Sequence, residues 1–122
     1  MDRAGAPYIA YSVQKDSANL AIKARGEDHR YRYARWTGGQ WVDHEIAYAG
    51  SRIHTYADGD DCTGLVALDP QDPNVVFIST NADPATARPL ISRTDHQRHW
   101  EVFRGTTRDG GAKWSWTAIT RD

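Results

Sequence analysis

The closing stretch of the chain, Glu101–Thr120, constrains the fold more than any other part of the sequence. It reads EVFRGTTRDGGAKWSWTAIT and predicts two strands joined by a tight turn, with Thr107–Gly111 at the corner and Trp114 just past it. A hydroxyl and a carboxylate at such a corner can accept backbone N–H groups that the turn leaves unpaired. Glycine permits a positive φ there. The stretch therefore indicates an architecture and names no catalyst.

The remaining sequence continues an all-β pattern and shows no helical periodicity. Short alternating or β-branched runs are separated by clusters of Gly, Pro, Asn and Asp, which is typical of antiparallel strands. The predicted strands are Tyr8–Val13, His29–Trp36, Trp41–Ala47, Thr63–Leu68, Val75–Thr80, His99–Thr106 and Trp114–Thr120. The predicted short turns are Thr37–Gly39, Asp69–Asn74 and Arg108–Ala112, and the predicted long loops are Gln14–Asp28, Tyr48–Cys62 and Asn81–Arg98.

Two stretches of the sequence resemble each other and indicate a repeated unit. HRYRYARWTGGQWVDHEI and HWEVFRGTTRDGGAKWSWTAI share a leading His, an aromatic-rich strand, a Gly-Gly turn and a Trp followed later by Ile. Four antiparallel strands make one blade of a β-propeller. On this interpretation Thr63–Thr120 is a complete blade and Tyr8–Ala47 supplies the last three strands of the preceding one, within a single domain of residues 1–122.

This partial propeller holds fewer than two blades, whereas closed propellers need about four to eight. Repeat units cannot bury their faces alone. We therefore expect the chain to be part of a larger propeller, with the remaining blades as its partners, or to self-associate. The isolated chain should expose aromatic sheet faces.

The closing turn also resembles the Asp-box of the sialidase-type (BNR) β-propellers. The match consists of Thr107, Asp109, Gly111 and Trp114, and it departs from the family at Lys113, where a hydroxyl is preferred. Over about nine tenths of its length the chain is similar to the BNR-4 repeat proteins, through DHRYRYARW, WVDHEIAYAGSR, GLVALDPQDPNVVFISTNADP and RDGGAKWSWTAIT. That group includes ulvan lyases and other polysaccharide lyases. The resemblance implies a carbohydrate-active propeller, secreted or periplasmic in its full-length form.

The topology predicts where a site would lie. In a four-stranded meander the short turns of this chain all fall at one end and its long loops at the other. Long ordered loops usually carry function, so we place any binding face for a polysaccharide or other glycan at the long-loop end.

A polysaccharide lyase needs a cation or donor for the uronate carboxylate, a base for the C5 proton and an acid for the leaving oxygen. His and Tyr suit the proton transfers, and Arg suits the carboxylate. The candidate catalytic residues at the long-loop end are His29, His44, Tyr48 and Arg52, and the candidate substrate-binding residues are His54, Asn81 and Arg88.

Structural roles compete with these assignments. His29 and His99 both begin a hairpin, which favours a repeated strand-start residue that bonds backbone. A buried, satisfied histidine is an equally good interpretation of His44. For Tyr31, Tyr33 and Trp41 we favour packing between sheets.

Other classes of site find less support. Asp58, Asp60 and Asp61 could ligate Ca²⁺, but their spacing is not that of an EF-hand and a solvated acidic tip fits better. Cys62 with His54 gives two ligands, which do not make a zinc site, so we expect no cofactor. The formal net charge of −1 and the split of Arg30 and Arg35 between two faces argue against nucleic acid. No apolar run approaches a membrane span.

The sequence thus predicts part of a BNR-type propeller that acts on acidic polysaccharide by β-elimination. Glycosidase chemistry would need two carboxylates flanking the scissile bond, and no convincing pair is present. The alternatives are a non-catalytic propeller that binds glycans or proteins, and an inactive fragment.

Overall fold

The computed structural model describes residues 1–14, 28–51 and 60–121, and these residues form an all-β structure. They contain seven strands in two antiparallel sheets and no helix. The strands are β1 (Tyr8–Val13), β2 (His29–Thr37), β3 (Gln40–Gly50), β4 (Thr63–Leu68), β5 (Val75–Thr80), β6 (Glu101–Thr106) and β7 (Ser115–Ala118). In the described part of the chain nothing helical is long and apolar enough to cross a membrane.

Each sheet is a simple up-and-down meander. Sheet A has the order β1-β2-β3 and sheet B the order β4-β5-β6-β7, so the predicted division into three strands followed by four is confirmed. The predictions for β1, β4 and β5 match the observed strands end to end. The closing strands are shorter than predicted, because His99, Trp100 and Trp114 lie outside the ladder and only Ser115–Ala118 pairs with β6.

The two sheets pack face to face around an aromatic core. Tyr31 and Tyr33 project from β2 and are fully buried against Val76 and Ile78 of β5, with Phe103 beyond them. The predicted packing role is therefore confirmed for both tyrosines. It is wrong for Trp41, which is about half exposed (46%) at the tip of the first hairpin and packs edge-on against Trp36.

The buried tyrosines also hydrogen-bond to the opposite sheet. The Tyr31 hydroxyl donates to the Ser79 carbonyl at 2.6 Å and accepts from the Gly64 amide at 2.7 Å. The Tyr33 hydroxyl donates to the Pro73 carbonyl. Since each hydroxyl is satisfied, the tyrosines contribute their apolar area without leaving a buried polar group unpaired.

The closing turn, residues 107–114, has the internal hydrogen bonds that its residue types predict. The Thr107 hydroxyl accepts the Gly111 amide at 2.9 Å and donates to Asp109, whose carboxylate accepts the Lys113 amide at 2.9 Å. The Trp114 indole donates to the Gly111 carbonyl at 2.7 Å. The amide of Lys113 holds the pKa of the Asp109 carboxyl below its usual value. The turn is therefore structural, as expected.

The short turns lie together at one end of the two sheets. The backbone of Gly111 packs against Tyr33 of sheet A, and Arg35 at the end of β2 donates to the Asn74 side chain at 3.2 Å. At the opposite end, Gly50 of sheet A meets Asp61, whose carboxylate pairs with Arg98 of the 81–98 loop. The predicted separation of short turns from long loops therefore holds for the described residues.

Candidate functional site

The long-loop end is organised around a buried ion pair. Arg98 and Asp61 lie 2.7 Å apart, with side chains only 3% and 7% exposed. Gly50 makes room for the carboxylate, because a Cβ at this position would overlap the Asp61 side chain. Its φ of +104° also favours glycine. The last residue of β3, the entry to β4 and the 81–98 loop are thereby joined at one point.

Asn81 lies in the same cluster, at the end of β5. Its side-chain amide donates to the Asp60 carbonyl at 2.9 Å, and its own carbonyl accepts from Arg98 Nε at 2.8 Å and from the Leu90 amide at 3.0 Å. The side-chain oxygen is buried and has no hydrogen-bond partner among the described residues. Asn81 is only 5% exposed, so its contacts connect loops and do not face solvent.

His29 and Tyr48 lie at this end but on opposite faces of sheet A. His29 is buried on the inner face, paired across the ladder with Gly50. Tyr48 pairs with Arg30 and is half-buried on the outer face, where its hydroxyl and the Ser51 hydroxyl form a hydrogen bond. The structure therefore does not bring these two candidate catalytic side chains together.

The cation that lies over the Tyr48 ring is neutralised by two carboxylates. The Arg30 guanidinium lies 4.6 Å above the Tyr48 ring, and it forms ion pairs with Asp28 at 2.6 Å and with Glu45. Two carboxylates thus occupy the fork that would otherwise bind a uronate. Arg30 supports the orientation of Tyr48, and a substrate carboxylate would need a different cation.

His44 lies at the short-turn end, beside the closing turn (residues 107–114). It pairs with Tyr33 in the middle of the β2–β3 ladder, and its imidazole is close to Gly111. It lines a cleft at the short-turn end together with Arg35, Trp36 and Asp109. Its predicted position among the long-loop residues is therefore wrong.

The predicted loop Asn81–Arg98 is in fact two tight turns in series. Ala82 bridges to Pro89 and Ile91 bridges to Arg98, so the chain folds back on itself twice within this segment. Arg88 is exposed on the first turn and lines a surface groove with Arg93 and Arg121. Arg88 is the one predicted substrate-binding residue among those described that is free to meet a ligand from solution.

The remaining candidates fall partly outside the described residues. Arg52 and His54 lie there, as does Asp58 of the acidic tip. Within residues 1–14, 28–51 and 60–121, no three His, Cys, Asp or Glu side chains group as they would around a metal ion. Burial raises the pKa of the Cys62 thiol, so this side chain is a weak nucleophile and a poor ligand.

The buried ion pair is the main feature of this end that the sequence pattern missed. Asp61 stands in an acidic tip and Arg98 closes a polar loop, and nothing in either segment distinguishes a buried charge from a solvated one. The signal that could have found it is Gly50, an isolated glycine at the end of a strand pattern, which indicates close approach of another group.

Comparisons of the sequence and structure with protein-family models, with curated proteins and with solved structures found no match.

Proposed function

We propose that this chain is a segment of a BNR-type β-propeller that acts on acidic polysaccharide by β-elimination. The observation that carries the proposal is the arrangement of the two meanders. They pack face to face, with their short turns at one end and the described longer connection, residues 81–98, at the other. This is the relation expected between successive blades of a propeller, whose ligands are bound by loops at one end.

The outer face of sheet B supports the propeller. Sheet B leaves Leu65 82% exposed on its outer face, next to Ala67 and the partly exposed Phe77. Such a face is typical of a sheet that packs against another sheet. Further blades would cover it.

β-Elimination would require one group to take the C5 proton while the C4–O4 bond breaks, a C4=C5 double bond forms and the leaving oxygen gains a proton. Tyr48 is the described candidate best suited to a proton transfer, because it is half-buried, lies at the long-loop end and is held by Ser51 and Arg30. His29, His44 and Arg52 remain further catalytic candidates. His54, Asn81 and Arg88 remain the candidates for substrate binding.

A second candidate function is a propeller that binds an acidic glycan without cleaving it. The separation of His29, His44 and Tyr48 favours this alternative, because an acid and a base must reach the same sugar ring. In this case the exposed arginines of the long-loop end would supply the affinity.

The test is an ultraviolet assay of the complete protein on a panel of acidic polysaccharides, read at the absorbance band of the unsaturated uronate. A rise that is lost in Tyr48→Phe supports β-elimination. No rise on any member of the panel, together with measurable binding, would support the non-catalytic alternative.

A further inference from the structure

The 81–98 loop is a rigid platform, despite its polar and proline-containing sequence. Asp83 accepts two amides of the first turn at 2.9 Å each, and Ser92 accepts two amides of the second at 3.0 and 3.2 Å. The Leu90 amide bonds to the Asn81 carbonyl and the His99 amide to the Leu90 carbonyl, each at 3.0 Å. The backbone at Asn81, Leu90 and His99 is therefore joined by hydrogen bonds at intervals of nine residues. Each turn projects its side chains from this hydrogen-bonded base.

A groove runs between this platform and strands β6 and β7 of sheet B. Arg88 and Arg93 line it from the platform, and Arg121 lines it from the segment after β7. Phe103 and Ala118 of β6 and β7 line the same groove. A ligand there would meet a partly apolar surface between cationic side chains.

These three arginines differ from the four described arginines that form ion pairs. Arg30, Arg32, Arg35 and Arg98 all lie within ion-pair distance of a carboxylate. In the described part of the chain, no carboxylate lies at that distance from the arginines of the groove. Three guanidinium groups without an ion pair, in a groove that also holds the carboxylates of Asp83 and Glu101, form a binding surface for an anion, since each presents a planar fork of donors.

We propose that this groove binds a carboxylated or sulfated sugar chain, with Arg88 and Arg93 as the principal anion-binding residues. The inference rests on the proposed function, because it identifies where the acidic polysaccharide would be held. The groove also offers hydroxyl and carboxylate groups, from Thr86, Asp83 and Glu101, that can bond to sugar hydroxyls. This mixture of polar groups favours a glycan over an acidic peptide as the ligand.

The experiment measures binding of the complete protein by titration calorimetry to three probes. They are an oligogalacturonate, a sulfated oligosaccharide of similar length and a neutral dextran oligosaccharide. We expect binding of at least one acidic probe, weaker binding with added salt and no binding of the neutral probe. The double variant Arg88→Ala/Arg93→Ala should lose about tenfold or more in affinity, since it removes two charge-assisted contacts.

The matched control is Arg108→Ala, which removes an exposed arginine from the Asp-box turn at the other end of the protein. Its affinity should remain that of the wild type. Circular dichroism of all variants checks that they fold. Polyglutamate, titrated as a fourth probe, tests the choice of a glycan over an acidic peptide. Equal loss in the control and the double variant, unchanged affinity in the double variant, or binding of polyglutamate equal to that of the acidic sugars would each overturn the proposal.

The two proposals can fail separately. If the acidic probe binds in the groove but no polysaccharide yields an unsaturated product, β-elimination is rejected and the groove stands. If product forms and the KM of Arg88→Ala/Arg93→Ala equals that of the wild type, the groove is rejected and the lyase stands.

Discussion

Tyr33 is the residue at which the two sheets and the closing turn, residues 107–114, meet. Its ring lies edge-on to Trp114, with centroids 5.2 Å apart, and it covers the backbone of Gly111. Its hydroxyl donates to Pro73 in the short β4–β5 turn. One side chain thus joins β2 to both short turns of the neighbouring sheet, so a change in its protonation state affects the whole interface.

Alkaline pH should destabilise the folded protein, because Tyr33 loses its proton less readily in the folded chain than in the unfolded chain. Burial raises the pKa of Tyr33 from 10.0 to about 12. Between pH 10 and 12 the unfolded chain therefore releases a proton that the folded chain retains. The contribution of Tyr33 to the free energy of unfolding is full below pH 10 and is lost as the pH rises towards 12. This difference in pKa corresponds to about 2–3 kcal/mol of unfolding free energy. Urea unfolding at a series of pH values should show this decline, with a shallower slope in Tyr33→Phe; an identical slope in the variant would contradict it.

The two adjacent glycines of the closing turn, Gly110 and Gly111, provide a matched pair of substitutions. Gly110 and Gly111 both have positive φ, +78° and +108°, but only Gly111 faces another element. A Cβ at Gly111 would lie 2.7 Å from the Tyr33 ring, whereas a Cβ at Gly110 would meet nothing within 4 Å. Gly110→Ala should cost about 1–2 kcal/mol from backbone strain alone.

Gly111→Ala should cost more than that, by a further 1–3 kcal/mol or so, because the methyl group must displace Tyr33 from the interface. Thermal unfolding of the two variants measures the difference. Equal losses in both variants would show that the turn does not press against sheet A.

At the scale of elements, the 81–98 platform depends on the buried charge at its base. Removing Arg98 takes away the 2.7 Å ion-pair partner of the buried Asp61 carboxylate and one of the two donors to the Asn81 carbonyl. Arg98→Ala should therefore destabilise the protein by about 3–5 kcal/mol. Arg88→Ala, in the same loop but exposed, should change stability by less than about 0.5 kcal/mol. Urea unfolding of both variants checks this, and similar values for the two would mean that Arg98 contributes little at this position.

The strands could be predicted closely because alternation survives in a half-buried sheet. β4 begins and ends with its apolar run and β5 with its β-branched run. The platform could not be predicted, because its turns leave no periodic pattern. Asp83 and Ser92 were the available signals, since short polar side chains that precede a turn commonly accept its amides.

The candidate site was predicted less well because of bulges in β3. Tyr33 pairs with His44 and Arg32 with Glu45, but Tyr31 pairs with Ala47, so Ile46 is an extra residue. An inserted residue reverses which face the following side chains occupy. His44 and Tyr48, four positions apart, would share a face of a regular strand. The bulge places His44 inside and Tyr48 outside, and no local feature of the sequence marks it.

At the scale of the whole molecule, the outer faces of the two sheets have different chemistry. Sheet A presents ion pairs, such as Arg32 with Asp43 at 2.8 Å. Sheet B presents apolar side chains, including Leu65 and Phe77. The first face is compatible with water, whereas the second exposes an apolar patch around Leu65 beside the polar side chains of Ser79 and Arg104, and an exposed apolar patch commonly marks a contact surface.

The isolated 13.7 kDa chain should therefore self-associate through the outer face of sheet B. Sedimentation velocity over a concentration series should show species larger than the monomer that dissociate on dilution. Leu65→Lys should shift the distribution towards monomer, because it places a charge where the apolar contact forms. Trp41→Lys, a comparable change at an exposed hairpin tip away from this face, should leave the distribution unchanged. If the wild-type chain is a folded monomer at every concentration, sheet B needs no partner and the inference of further blades loses its physical basis.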